Sequence, residues 1–162
     1  ATQNRKVCRR FGEIAMFKSL VCALLFSVIP LAAMADGPPR TAEVADSDAR
    51  AVRAVVEAQL KAFAADDAVK AFSHASPAIQ KQFGDAATFA EMVRRTYPML
   101  IRPASISFYR PLAIESVVVQ GVMFRDGEGH VWRADYQLQR QPDKRWRIEG
   151  CQVVPGNDTS TT

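Results

Sequence analysis

Apolar residues follow two periods along this chain. From Asp46 to Tyr97 they recur at helical spacing, and after Pro103 they recur at every second position. Val52, Val55, Val56, Leu60 and Phe63 form one stripe. Asp46 or Ser47 stands where a helix cap is needed, and the alanine-rich remainder favours helix. Asp66 is placed to cap a second helix that carries Val69 and Phe72. Ser76-Pro77 sets a capping hydroxyl before a proline at the first helical position, so a third helix starts there. It turns Ile79 and Phe83 inward and ends at Gly84. Asp85 opens a fourth helix with Phe89, Met92, Val93 and Tyr97 aligned, and Pro98 stops it.

Beyond Pro103, Ile106–Tyr109, Leu112–Phe124, Val131–Arg140 and Arg145–Val154 read as strands. Asp126-Gly127-Glu128-Gly129 and Gln141-Pro142-Asp143-Lys144 are turns, and connections this short make the joined strands antiparallel. Trp132, Ala134, Tyr136 and Leu138 form an apolar face opposite Arg133, Asp135, Gln137 and Gln139. Trp146 and Ile148 likewise oppose Arg147 and Glu149. Val117-Val118-Val119 lacks alternation, and the long Leu112–Phe124 run is expected to bend, with Gly121 as a candidate bulge. Helices followed by a meander predict an α+β fold: N-terminal helices packed on a curved antiparallel four-stranded sheet. Helices across a curved sheet make a cone, which can enclose a small pocket.

A third pattern precedes both. Met16–Ala35 has a positive start at Lys18, an apolar middle at Leu20–Leu31 and a small-x-small site at Ala33-Met34-Ala35, the three parts of a secretory signal. The apolar run is shorter than the roughly 20 residues that span a bilayer, and Pro30 interrupts it. Cleavage after Ala35 is therefore expected, with a periplasmic or secreted product and no stable membrane anchor. Residues 1–15 precede the first methionine and read as upstream read-through. Residues 36–46, with Gly37-Pro38-Pro39, read as a flexible lead-in, 47–154 as a single domain, and 155–162 as a disordered tail.

Removing the signal changes the charge. The whole chain has 21 Lys+Arg against 17 Asp+Glu, net +4. Residues 1–35 carry five of the bases and one acid, so sixteen of each remain. A nucleic-acid partner needs a basic field to neutralise phosphates, and the remainder has no surplus to supply one. Of Cys8, Cys22 and Cys151, only Cys151 survives cleavage, which leaves no internal disulfide. His74 and His130 stand far apart without Cys or carboxylate at ligand spacing, so no metal site is expected. No glycine-rich phosphate loop, nucleophile elbow or cofactor motif is present, and no cofactor is expected.

A resemblance adds to this reading. It rests on Gln59-Leu60-Lys61-Ala62-Phe63, Asp66-Asp67, Ala71-Phe72, Ala75-Ser76-Pro77-x-Ile79-Gln80, Phe83, Phe89-x-x-Met92-Val93, Tyr97-Pro98, Arg102-Pro103 and Trp146-Arg147-Ile148-x-Gly150-Cys151. The series resembles the bacterial domain-of-unknown-function family 4864 over about Val52–Val153. The resemblance implies a small exported protein and a cone of the nuclear-transport-factor-2-like or cystatin/ketosteroid-isomerase-like kind. It carries no activity, and a fold of this shape does not choose one.

Candidate chemistry is sparse. Asp67 is a weak candidate base whose ordinary role is a helix cap. His74 is a weak candidate proton shuttle with no carboxylate spaced to orient it. Asp135 suits an isomerase-like acid only if its face is the concave one. Tyr97, Arg102, Tyr136 and Trp146 are candidate ligand contacts, against core and salt-bridge roles. Cys151 reads as a buried, inert thiol. The function expected is a non-catalytic exported binding or interaction module. Its partner is an unknown small molecule or an envelope protein, and a homodimer through the open sheet face is a further option. The alternative is a cone-fold enzyme, of isomerase or hydrolase type, using a single carboxylate in an apolar pocket.

Overall fold

The computed structural model describes residues 41–156. The signal segment, the residues before it, the lead-in up to residue 40 and the tail residues 157–162 lie outside the described residues. The chain runs through β1 (Thr41–Glu43), α1 (Asp46–Ala64), α2 (Ala68–Ser73), α3 (Pro77–Phe83) and α4 (Ala86–Thr96). A 3-10 turn at Pro98–Leu100 leads to β2 (Ser105–Phe108), β3 (Leu112–Ile114), β4 (Val117–Arg125), β5 (Val131–Arg140) and β6 (Trp146–Pro155). Every strand pair is antiparallel. The order is β1-β3-β4-β5-β6, with β2 also paired on β4. The fold is α+β, with N-terminal helices packed on an antiparallel sheet.

The sheet has six strands rather than four. β1 lies in the stretch expected to be flexible. Three residues with no apolar alternation give no strand signal, and pairing with β3 creates the strand. Leu112–Phe124 is not one bending strand. Ile114 pairs with Val117 across a two-residue turn in which Glu115 adopts φ 55°. Glycine or asparagine usually supplies that conformation, so a glutamate there conceals the hairpin. Gly121 is not a bulge, because it pairs regularly with Asp135. The extra residue sits opposite it: Tyr109, Arg110 and Pro111 cover the ground that Gln120 and Gly121 cover on β4. The missing side chain of Gly121 lets Tyr109 lie across it; a Cβ there would meet the Tyr109 ring at 3.2 Å. A second irregularity falls between Gln137 and Leu138, where Glu149 is the extra residue on β6.

Capping follows the sequence closely, with two exceptions. Ser76 accepts from the Ile79 amide, with Pro77 behind it, Gly84 ends α3 at φ 78°, and Asp85 caps α4. At α1, however, the cap position is Ala45 and no side chain bonds there. At α2 the cap is Asp67 rather than Asp66.

Two cores result. Val52, Val56 and Leu60 of α1 pack on Val118, Val122, Phe124, Ala134, Tyr136, Leu138 and Ile148. Each buried Val, Leu, Ile or Phe side chain among them contributes roughly 1.5–3 kcal/mol relative to exposure. A smaller core joins the helices: Phe63, Phe72 and Phe83 surround Phe89 with ring centroids 5.9, 5.2 and 5.4 Å from it. The helical layer is tied to β6 by a short parallel bridge. The Ser76 amide donates to the Ile148 carbonyl at 2.9 Å, and the Ile148 amide to the His74 carbonyl at 3.0 Å.

Candidate functional site

The three candidate catalytic residues do not converge. Asp67 accepts from the Lys70 amide at 2.9 Å and stands exposed at the start of α2. Asp135 lies on the sheet face away from the helices, 3.0 Å from Arg133. His74 ends α2, half-buried, and its Nε2 is enclosed without a hydrogen-bond partner. Burial lowers its pKa below 6.5, and Lys70 and Arg147 lower it further. No Asp or Glu is buried among the described residues; the buried polar side chains are Gln59, Ser76 and Gln120.

The four candidate ligand contacts occupy different places. Arg102 makes the helix-layer anchor. Its Nε donates to the Ala64 carbonyl at the end of α1, and its terminal nitrogen lies 2.7 Å from Asp66. Asp66 adopts φ 57° and also faces Arg94 at 3.6 Å. Tyr97 packs against both cores. Trp146 lies at the rim of the main core under Arg140, whose guanidinium sits 5.8 Å from its ring, and its indole nitrogen is buried without a partner. Tyr136 is fully enclosed beneath α1, its hydroxyl without a well-aligned acceptor. Burial first, and then the Cys151 thiol across the β5–β6 pair, raise its pKa well above the ordinary phenol value.

Gln120 is the cross-strand neighbour of Tyr136 and is equally buried. Its amide donates to the Tyr109 carbonyl at 2.7 Å and to the Gly121 carbonyl at 2.9 Å. These bonds fill the gap that the extra residue opens between β2–β3 and β4. Gln120 is therefore a structural plug, with its own Oε1 left over.

Two surface features remain. The first is the outer sheet face. Tyr109 and Leu112 are 49% and 52% exposed there, with Ile114, Val117, Val119 and Met123 half-buried around them, while Val154, 39% exposed, stands apart on β6 beyond Arg133. The register places this apolar half on β3–β4 and a polar half, Arg133, Asp135 and Gln137, on β5. The second is a cleft of about 360 Å³ between α3 and the β5–β6 hairpin, where Gln80 and Gln141 meet Asp143, Arg145 and Arg147. Among the described residues no group of three or more His, Cys, Asp or Glu is placed to hold a metal ion. No helix among them is long and apolar enough to cross a membrane.

Residues 45–161 match the sequence profile of a protein family described as Domain of unknown function (DUF4864). The chain belongs to the DUF4864 family. No curated protein and no solved structure matches it. The match takes in all four helices and the five strands from β2 onward, so both surface features are part of the DUF4864 domain.

Within the DUF4864 domain, sequence reasoning overlooked Gln120 and the cleft arginines. Gln120 sits among apolar residues in β4, and a polar side chain on an inward face was the signal available for it. Arg145 and Arg147 stand two apart at the start of β6, which put them on one side. What they face depends on the distant α3, and no local pattern reports that.

Proposed function

We propose that this chain is an exported, non-catalytic interaction module that works through the open face of its sheet by pairing with a second copy of itself. One observation carries the reading: the outer face exposes Tyr109 and Leu112 in an apolar half that also holds Ile114, Val117, Val119 and Met123. A sheet with one solvated face normally alternates polar residues outward. Here β5 follows that rule and β3–β4 do not. A patch of this kind marks an interaction surface. A self-complementary pair needs about 800 Å² from each copy, and the apolar half with its polar border is suited to isologous contact. An envelope protein is the other occupant this face admits.

The fold reading within the proposal is a cone of the cystatin or ketosteroid-isomerase-like kind. Two extra residues, one opposite Gly121 and one at Glu149, bend the sheet around α1. The enzyme alternative requires an acid in an apolar pocket, and none of the described acids is buried. Export rests on the Met16–Ala35 pattern, and N-terminal sequencing of the secreted product tests it by its start at Asp36.

Light scattering on the purified protein from micromolar to millimolar concentration tests the pairing. A dimer that becomes monomeric in Leu112→Glu, with unchanged circular dichroism, supports the sheet-face interface. A monomer throughout, or a dimer indifferent to Leu112→Glu, overturns it.

A further inference from the structure

We propose that the cleft between α3 and the β5–β6 hairpin binds a small oxyanion, a carboxylate or phosphate group held by Arg147 with Arg145. The cleft is walled by Ala75 and Pro77 on the helical side and by Gln141 and Pro142 on the hairpin side. Its volume, about 360 Å³, lies at the lower end of small-ligand sites. Two guanidinium groups and one carboxylate line it, so it carries a net positive charge.

The acids nearby are already engaged. Asp143 accepts from the Arg145 amide at 2.9 Å and from its Nε at 2.7 Å, and its carboxyl is held below the usual range first by these bonds and then by the charges of Arg145 and Arg147. Glu149 accepts from the Gln141 amide at 3.0 Å. Gln80 donates to the Phe72 and Ala75 carbonyls, which fixes the helical wall. Arg147 differs: it is half-buried and makes no side-chain hydrogen bond among the described residues. Arg145 is oriented through one edge only, leaving further N–H groups for a ligand.

A half-buried guanidinium with open donors favours a planar or tetrahedral oxyanion over a neutral ligand, because charge-assisted hydrogen bonds are about twice as strong as neutral ones. The surroundings add to this. His74, next in sequence to Ala75 of the cleft wall, has its charged form disfavoured first by burial and then by the positive fields of Lys70 and Arg147. An anion beside Arg147 cancels part of that field. Occupancy of the cleft is therefore linked to the protonation of His74, which gives a readout independent of any biological activity.

The test is a titration of the full-length chain with inorganic phosphate and, separately, with succinate, followed by amide and imidazole NMR at constant ionic strength. Saturable shifts at Gln80, Gln141 and Arg147, with an upward move of the His74 pKa, are expected. Arg147→Gln should weaken binding about tenfold. Arg95→Gln, exposed on α4, should leave binding unchanged. Response to phosphate alone, to succinate alone or to both identifies the preferred oxyanion, and each supports the site. Absence of saturation with either probe, or equal shifts in Arg147→Gln whose amide spectrum remains folded, overturns it. The outcome is independent of the dimer, because the cleft and the apolar half of the sheet share no residue.

Discussion

Replacing Gln120 by alanine removes the amide that fills the gap between β2–β3 and β4. Its two bonds, at 2.7 and 2.9 Å, contribute about 1 kcal/mol each. The two acceptors are not equivalent. The Gly121 carbonyl still receives the Tyr109 amide at 3.0 Å, whereas the Tyr109 carbonyl loses its side-chain donor. The Tyr109 carbonyl is only part-buried, so losing its donor costs a further 1–2 kcal/mol, roughly. Loss of the unpartnered Oε1 offsets about 1 kcal/mol of this. The net expectation is a destabilisation of about 2–3 kcal/mol, or a fall in Tm of about 10 °C for a domain of this size. Urea unfolding followed by the fluorescence of Trp132 and Trp146 reads it as a lower midpoint with an unchanged m-value. Gln120→Leu keeps the volume and removes the donor, so it separates the hydrogen bonds from the cavity and should still cost at least about 1.5 kcal/mol. If both variants fall within about 0.5 kcal/mol of the parent chain, the plug argument is wrong.

Two further predictions follow the same reasoning. Tyr136→Phe deletes a buried hydroxyl that has only a thiol beside it, so it should be neutral or stabilise by up to about 1 kcal/mol; a loss above about 1 kcal/mol in urea unfolding would reveal a strong partner for the hydroxyl. The folded-state pKa of His74 lies below 6.5, so its stabilising contribution is fully present above pH 6.5 and is lost as pH falls from there through the folded-state value. His74→Gln should therefore flatten the decline in urea midpoint between about pH 7 and pH 5, and a decline of the same slope in the variant refutes the assignment.

The helices were legible because each signal is local. Ser76-Pro77, Gly84 and Asp85 mark ends by bonding within one turn, and the Val52–Leu60 stripe reports the buried face directly. Strand β5 was equally plain, since its alternation from Ala134 to Leu138 matches its burial. What stayed hidden depends on partners remote in sequence. β1 is a strand only because β3 lies beside it. The β3–β4 turn uses a glutamate where glycine was the expected marker. Arg102 illustrates the site-level version of the same limit. Its position between helix and sheet was evident, but its salt bridge reaches Asp66, thirty-six residues away. The cleft joins α3 to a hairpin more than sixty residues downstream, and nothing in either segment names the other.

The shortest strand has a practical consequence. β1 covers the backbone of Leu112, Ala113 and Ile114, and the ion pair of Glu43 with Arg110 fastens it there. A chain shortened to begin at the first helix would strip this cover and leave a row of unpaired backbone donors and acceptors beside an exposed Leu112. Such a row is a template for strand addition by other molecules. Shelf life and resistance to fibrous self-association thus depend on three residues, Thr41-Ala42-Glu43, only a few positions beyond the proposed processing site at Ala35. Deleting residues up to 43 should therefore promote aggregation while leaving Val44, the first residue of the core, in place.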